Sequence, residues 1–384
     1  MVPLFILAHF SHHLTASLFQ PLTPFIRDEF NLDYTQIGWM MSAYTLAYGL
    51  SHLPAGWLSD RLGPRLMITI GISGAALCAL LAGLAPTYLA LVTFMILLGA
   101  VGGGYHPAAS PLVAASVERK RQGRALGLHQ IGGTASFFLT PLIAVAIAGA
   151  LGWRGSIVTI SITTFIIGIV LFMILGKRGY AQKVLKVSAS QPAEPPTASG
   201  SMRRLIPFIL LGVTLQVIIF SVSYYIPLFA VDDLKASEQT GALLFSLFHF
   251  AGLLAGPIGG YLSDRWGKLP VMLAVSLIAG PALYLLSLSS LGWSVWGVLL
   301  LLGLCMYMSM PVAEAYIITH APQRRRSTIL GIYYFASRGG IGLSAPLVGY
   351  LADHYSFATS FTIMGGVLLG IILVCSAFLL GSRD

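Results

Sequence analysis

An eight-residue motif occurs twice in this chain of 384 residues, and its two copies begin 204 positions apart. The first copy reads GWLSDRLG at positions 56–63, and the second reads GYLSDRWG at positions 260–267. Each copy follows one long apolar segment and precedes another, so its Asp-Arg pair falls in the turn between two segments. A motif that recurs at the same place in two apolar halves predicts a helical membrane protein built by internal duplication.

The composition places this duplication in a membrane. Hydrophobic residues make up 56% and charged residues 9% of the chain, and the mean hydropathy is +0.83, whereas a soluble domain carries about 25% charged residues. A helix that crosses a bilayer needs about 20 apolar residues. The sequence supplies twelve such segments: 2–26, 35–58, 66–85, 88–115, 125–150, 154–176, 205–231, 239–262, 269–289, 293–318, 328–351 and 356–381.

A polar stretch divides the twelve segments into two groups of six. Residues 177–203 are rich in proline, serine and lysine, which is typical of a linker. The expected fold is therefore an all-α integral membrane protein with twelve transmembrane helices in two pseudo-symmetric six-helix bundles. The expected domains are the bundle 1–176, the cytoplasmic linker 177–203 and the bundle 204–384.

The basic residues predict the orientation of these segments. Of the 22 Lys and Arg residues, 18 fall in the linker, the tail and the connections on one side of the predicted membrane. The positive-inside rule places that side, with both termini, in the cytoplasm. The expected location is the inner (plasma) membrane of the cell. The net charge of +9 then reflects membrane topology. A nucleic-acid-binding function is not predicted, because the sequence offers no soluble domain to carry such a site.

The sequence predicts neither an enzyme nor a bound cofactor. No GxxxxGK loop for ATP and no nucleophile motif is present. Cys78, Cys305 and Cys375 lie in apolar segments without metal-ligand spacing. His9 has the helical spacing for a metal pair with His12 or His13, but no cysteine or carboxylate accompanies them, so no metal is predicted. A non-transporting membrane sensor or embedded enzyme remains the rival class.

Ionisable residues inside the segments are few. Glu314 is the only acidic residue well inside a segment, and Arg338 is the only basic one. An ionised group at the centre of a bilayer costs about 2.5–3.5 kcal/mol on insertion scales, so each should face the bundle interior and have a partner. Because their helices are adjacent in the chain, we expect a Glu314–Arg338 pair, direct or through water. The alternative is a purely structural pair.

Histidines form a second polar group. Seven of the nine histidines fall within apolar segments. His9, His13 and Gln20 are spaced four and seven apart and would share one face of a single helix. A histidine titrates near pH 6.5 and can carry a proton or act as a neutral donor. The alternative role is helix packing, which we assign to His52 and His249.

The repeated motif has its own physical interpretation. Gly56 and Gly260 would let two helices approach closely. Asp60 and Asp264 would cap the following helix or pair with a basic residue of a neighbouring loop. The alternative is a plain turn that carries positive-inside charges.

Six plus six segments, a central linker and the repeated GxLSDRxG turn resemble the major facilitator superfamily over essentially the whole chain. The segments SHHLT at 11–15 and YHPAA at 105–109 resemble its fosmidomycin-resistance branch of drug efflux proteins. That branch tends to carry Asn-Asp after the helix 1 histidine, where this chain has Thr15 and Ala16. The resemblance implies a gating role for the motif residues Gly56, Asp60, Arg61, Gly63, Gly260, Asp264, Arg265 and Gly267.

The resemblance also implies a secondary active transporter that works by alternating access and has helices 1, 4, 7 and 10 around its cavity. We expect proton-coupled efflux of a small anionic or amphipathic drug-like compound by a monomer in the lipid bilayer. The alternative is proton-coupled uptake of a small organic acid. The residues expected on the substrate and proton pathway are Glu314, Arg338, His12, His13, Gln20, His106, His129, Gln216 and Tyr334.

Overall fold

The computed structural model describes residues 2–118, 121–177, 202–322 and 326–381. These residues form helices and short connections and contain no β-strand. The all-α fold expected from the apolar segments is confirmed.

The first half begins with a broken segment and ends with one long helical run. Its helices are α1 (Val2–Ala16), α2 (Thr23–Phe30), α3 (Tyr34–Leu62), α4 (Pro64–Thr69), α5 (Ala75–Gly83), α6 (Tyr88–Gly102), α7 (Tyr105–Ala115) and α8 (Gln122–Lys177). A 3₁₀ turn, Gln20–Leu22, joins α1 to α2, and a π-helical turn, Ile70–Gly74, joins α4 to α5. Gly152 has a φ of +71° inside α8 and divides that run into two helices.

The second half repeats this pattern of long apolar helices. Its helices are α9 (Met202–Ser223), α10 (Ile226–Asp232), α11 (Glu238–Trp266), α12 (Lys268–Ser287), α13 (Trp293–His320), α14 (Arg326–His354) and α15 (Phe357–Gly381).

Nine helices in the described part of the chain are long and apolar enough to cross a membrane. One of the nine, Ala125–Gly176, contains the break at Gly152 and has the length of two crossings. The helices α3 and α14, each of 29 residues, fall outside this set of nine. These lengths and breaks are consistent with the twelve predicted crossings.

Contacts between Cα atoms group the chain into two compact units. The first unit comprises Met1–Leu32 and Ala43–Ala193, and the second comprises Asp33–Ser42 and Glu194–Asp384. In the first unit, the buried residues Phe5, Ile72 and Tyr105 belong to one apolar core. The second unit includes the first turns of α3, which precede the expected linker 177–203 in the chain. The boundaries at 176 and 204 therefore stay a proposal.

The first apolar segment is not one helix. Helix α1 ends at Ala16, and Gln20 opens the 3₁₀ turn that leads to α2. Pro21 lacks a backbone N–H, and a proline ring collides with the carbonyl group four residues earlier in a continuous α-helix. The expectation that Gln20 shares a helical face with His9 and His13 is therefore wrong.

The two copies of the repeated motif end in the same backbone conformation. Gly63 has a φ of +84° and Gly267 a φ of +92°, a region that only glycine enters without strain. Each of these glycines precedes the next helix, and neither helix start has a side-chain cap. The expectation that Asp60 and Asp264 cap the following helix is therefore wrong, because the last glycine of the motif occupies the cap position.

The first glycine of each motif copy lies in open space. A Cβ atom at Gly56 or Gly260 would meet no atom within 4 Å in the described part of the chain. The expected close helix approach at these two positions is therefore wrong for this structure. The preceding residue Gly259 makes such an approach instead, since a Cβ there would lie 2.8 Å from the carbonyl oxygen of Met308 on α13. The expected pairing of Asp60 and Asp264 with a basic residue of a neighbouring loop stays a prediction, because part of those loops, residues 119–120 and 323–325, lies outside the described ranges.

In the second unit, two carboxylates cap the start of α3. Asp33 accepts a hydrogen bond from the Gln36 backbone N–H at 2.6 Å, and the Gln36 side chain accepts one from the Asp33 N–H at 3.0 Å. Asp353, on α14, accepts bonds from the N–H groups of Tyr34 and Thr35, both at 2.8 Å. Together they satisfy donors that a helix N-terminus otherwise leaves unpaired.

Candidate functional site

Six of the nine histidines gather in the first unit. The histidine cluster consists of His9, His12 and His13 on α1, His52 on α3, His106 on α7 and His129 on α8. Its shortest ring separations are 4.1 Å between His9 and His129 and 4.7 Å from His13 to both His9 and His12. The structure thus brings together four expected pathway residues, His12, His13, His106 and His129.

His9 is the most constrained member of the cluster. It is 1% exposed, and its Nδ1–H donates a 2.8 Å hydrogen bond to the carbonyl oxygen of His129. This bond leaves the lone pair on Nε2. In the described part of the chain, His9 Nε2 is buried and has no hydrogen-bond partner. His9 therefore presents a fixed acceptor nitrogen to its neighbours.

Small residues on α8 allow α1 to come this close. A Cβ at Gly132 would collide with the carbonyl group of Ile6, and a Cβ at Gly133 would lie 2.7 Å from Cε1 of His9 and 2.9 Å from Cδ2 of His13. The glycine pair thus makes room for the backbone and the imidazole rings of α1.

His12 is held from two sides. Its Nδ1–H donates to the carbonyl oxygen of Gly71 at 3.0 Å, and the Tyr48 hydroxyl lies 3.4 Å from its Nε2. Gly71 lies in the π-helical turn, where the regular hydrogen-bond pattern is interrupted. The ring of Tyr105 stacks on His12 at 4.4 Å. His12 is therefore positioned by hydrogen bonds on both ring nitrogens.

Gln20, although buried, belongs to a different part of the first unit. It is 2% exposed, and it lies in the 3₁₀ turn beyond the end of α1. Its place on a pathway stays a prediction.

The second unit contains a separate group that we call the acid–arginine site: Gln216, Glu314, Tyr333, Tyr334 and Arg338. Helix α9 supplies the glutamine, α13 the glutamate, and α14 the two tyrosines and the arginine. The Tyr334 hydroxyl donates a hydrogen bond to the Glu314 carboxylate. The Gln216 amide donates to the Tyr333 hydroxyl. Gln216 and Tyr333 are buried, whereas Glu314 and Arg338 are half-buried.

Glu314 and Arg338 approach the same tyrosines without touching each other. Both groups act electrostatically on Tyr333 and Tyr334. No ion pair within 4.0 Å joins Glu314 to Arg338, two residues that the structure describes in full. The Arg338 guanidinium instead lies over the Phe220 ring, 5.7 Å from its centroid. The expected direct ion pair between Glu314 and Arg338 is therefore not formed. A pair bridged by water stays a prediction.

Sequence reasoning missed several aromatic members of both groups. Tyr105 stacks within the histidine cluster, and Tyr307 lies near Arg338 and is hydrogen-bonded to His249 at 2.6 Å. His52, which we assigned to packing, has its ring 6.4 Å from that of His106. Tyr105 could have been found from its place beside His106, whereas Tyr307 is one of many aromatic residues in apolar segments.

A family model described as Major Facilitator Superfamily matches this chain over residues 5–303 and 229–384. The chain belongs to the Major Facilitator Superfamily. The resemblance to this superfamily that the sequence suggested is therefore confirmed.

Two curated relatives from Escherichia coli (strain K12) cover most of this member. A probable L-galactonate transporter is 26% identical over 369 residues, which are 89% of this chain and 80% of the relative. A fosmidomycin resistance protein is 24% identical over 371 residues, which are 96% of this chain and 90% of the relative. The second relative agrees with the resemblance to the fosmidomycin-resistance branch.

Solved structures of transporters share the fold of this superfamily member. A POT family transporter in complex with 5-aminolevulinic acid has a TM-score of 0.81 at 15% identity and covers 99% of this chain and 96% of its own. A bacterial homolog of the human lysosomal transporter Spinster has a TM-score of 0.78 at 14% identity and covers 99% of this chain and 95% of its own. The protein is a multi-pass membrane transporter of small molecules, and its relatives are transporters rather than enzymes.

Proposed function

We propose that this transporter uses the proton gradient to export a small anionic or amphipathic compound, with Glu314 as the proton carrier. The observation that carries the proposal is the environment of Glu314. This carboxylate lies on α13, within a candidate membrane span, and accepts a hydrogen bond from Tyr334.

A proton carrier must be stable in both charge states during the cycle. The Tyr334 hydroxyl stabilises the ionised carboxylate by donating a hydrogen bond, and the surrounding apolar helix favours the protonated form. Glu314 is also the only acidic residue well inside an apolar segment of the sequence. These opposing influences suit a group that gains and loses a proton as its surroundings change.

An anionic substrate is favoured by Arg338. Its guanidinium is half-buried beside two tyrosine hydroxyls and has no carboxylate partner within 4.0 Å among the described residues. A guanidinium binds planar anions through paired donors. The relative named a probable L-galactonate transporter carries a sugar acid by that name, which agrees with an anion at this position.

The two relatives favour opposite directions of transport. Similarity to a fosmidomycin resistance protein favours export of a drug-like compound. Similarity to a probable L-galactonate transporter favours the second candidate function, proton-coupled uptake of a small organic acid. Counterflow in vesicles of known orientation, with fosmidomycin and L-galactonate as the two probes, separates them.

We also propose an orientation in the membrane and an oligomeric state. The 18 basic residues on one side favour cytoplasmic termini and linker. We also propose a monomer, as expected from the resemblance.

The test of the proton carrier is Glu314→Gln in proteoliposomes with an imposed pH gradient. The amide can still accept a hydrogen bond from Tyr334 but cannot carry a proton. We expect loss of uphill accumulation, by at least about tenfold if this general acid–base group is essential, while exchange of internal for external substrate continues. Uphill transport at the wild-type rate would contradict Glu314 as the carrier and would favour the histidine cluster.

Glu238→Gln is the matched control. Glu238 lies in the first turn of α11 and is outside both groups described above. This variant should keep accumulation and exchange, so a loss in Glu314→Gln alone is attributable to the position of that carboxylate.

A further inference from the structure

We propose that His9, His13 and His106 form a binding site for a divalent transition-metal ion of the zinc class. The sequence offered only two helix-spaced ligands on α1 and predicted no metal. The fold adds a third ligand, because α7 places His106 beside the pair on α1. One ring nitrogen of each histidine lies within 4.8 Å of the others.

The ring separations fit a single ion. The three ring centroids are 4.7 Å (His9–His13), 5.0 Å (His9–His106) and 5.4 Å (His13–His106) apart. With Zn–N bonds of about 2.0–2.1 Å and tetrahedral angles, three imidazole centroids around one ion are separated by about 5.2 Å. The centroids are therefore already close to this separation, and rotation of the His13 and His106 rings toward the fixed Nε2 of His9 would bring the three nitrogens onto a common centre.

His9 has the hydrogen bond that metal-binding histidines commonly have. Its Nδ1–H donates to the backbone carbonyl of His129 at 2.8 Å, which fixes the neutral tautomer with the lone pair on Nε2. That Nε2 is buried and, among the described residues, lacks a hydrogen-bond partner. A buried acceptor without a donor is costly, and a metal ion would satisfy it.

Three neutral imidazoles leave the ion with its full charge and one coordination position. No cysteine or carboxylate joins the triad within the described ranges. The fourth position of a three-histidine site takes water or another small ligand, and the uncompensated charge favours an anion there. Imidazole ligands suit Zn, Cu, Ni and Fe, so the probe ions are chosen from this class.

The test uses the full chain without a polyhistidine tag, in nanodiscs, titrated with Co²⁺. Four-coordinate Co²⁺ with nitrogen ligands absorbs visible light strongly, so binding is read directly. We expect a saturable band at one Co²⁺ per chain that Zn²⁺ displaces. His13→Gln and His106→Gln, both at half-buried positions, should each weaken binding by at least about tenfold. His354→Gln, at an exposed position on α14, should bind as the wild type does.

A second pair of variants disturbs the site without removing a ligand. Gly133→Ala places a Cβ 2.7 Å from the His9 ring and 2.9 Å from the His13 ring. It should weaken Co²⁺ binding because both rings must move. Gly149→Ala, also on α8, meets no atom within 4 Å in the described part of the chain, and it should leave binding unchanged.

Absence of saturable Co²⁺ and Zn²⁺ binding in the wild type would overturn the proposal. Equal affinity in the wild type, His106→Gln and His13→Gln would also overturn it and would limit the triad to hydrogen bonding or proton transfer. If one histidine variant fails to fold, the wild-type titration and the comparison of Gly133→Ala with Gly149→Ala still show whether the metal site exists. None of these outcomes depends on Glu314, so the proton-carrier proposal stands or fails separately.

Discussion

At the scale of single residues, Arg338 shows how a half-buried cation can be held without an acid beside it. Its guanidinium lies over the face of Phe220 and interacts electrostatically with the hydroxyl groups of Tyr307, Tyr333 and Tyr334. Aromatic faces attract a cation, which favours the position of the guanidinium over Phe220. The charge is thereby tolerated while the donor groups stay available to an anion.

Arg338→Lys tests this role because lysine keeps the charge but loses the planar, paired donors. We expect the affinity for an anionic substrate to fall by at least about tenfold, which corresponds to loss of one charge-assisted hydrogen bond of about 1.5–3 kcal/mol. Isothermal titration with L-galactonate and with fosmidomycin measures the effect. Arg27→Lys, a change at a half-buried arginine paired with the exposed Asp28, is the control and should bind normally.

A second outcome separates anion binding from charge balance. If Arg338 only balances the charge of Glu314, the double variant Glu314→Gln, Arg338→Gln should recover the folding and exchange that Arg338→Gln loses. Unchanged affinity in Arg338→Lys together with that recovery would refute the anion-binding role.

At the scale of elements, the start of α3 shows how one helix end is stabilised from two places in the second unit. Asp33 and Gln36 form a local capping box, and Asp353 on α14 binds the N–H groups of Tyr34 and Thr35. Negative charge near a helix N-terminus is favourable because the free N–H groups and the helix dipole are positive there.

Asp353→Ala should lower the free energy of unfolding by about 0.5–2 kcal/mol, as loss of a helix cap does. Asp33→Ala should have a similar effect, because it removes the local cap. Thermal unfolding in detergent, followed by tryptophan fluorescence, gives the order of stabilities. Asp28→Ala, an exposed change away from a cap, should stay within about 0.5 kcal/mol of the wild type. Equal stability of all three variants would contradict the capping roles.

At the scale of the whole molecule, the distribution of basic residues predicts which end of each membrane helix faces the cytoplasm. Of the 22 Lys and Arg residues, 18 lie in the linker, the tail and the connections on one side of the predicted membrane. Positive residues are retained on the cytoplasmic side during insertion. The rule therefore predicts one orientation for all the connections together.

Cysteine labelling tests this orientation in intact bacterial cells. The chain has three cysteines, Cys78, Cys305 and Cys375, and their replacement by serine gives a clean background. Ser190→Cys, in the linker, should resist a membrane-impermeant maleimide until the cells are broken. Ser290→Cys, at an exposed position between α12 and α13, should react in intact cells. The reverse pattern would contradict the proposed orientation.

The apolar segments and the repeated motif determined the fold class and the family of this protein, because helix length in a bilayer and the Gly-ended turn are local properties of the chain. Local pattern also identified Glu314, Arg338 and most of the histidines, since a polar group in an apolar segment is conspicuous by itself. Pro21 by itself does not specify the end of α1 before Gln20, because α3 and α13 each continue through an internal proline.

Only the tertiary structure decided which of these groups meet. His106 joins His9 and His13 because α7 packs beside α1, and no spacing along the chain encodes that neighbour. Glu314 meets Tyr334 instead of Arg338 because side-chain direction depends on how α13 and α14 are rotated against each other. The open surroundings of Gly56 and Gly260 are likewise set by packing. Contacts between distant segments depend on the arrangement of whole helices, which no single stretch of sequence specifies.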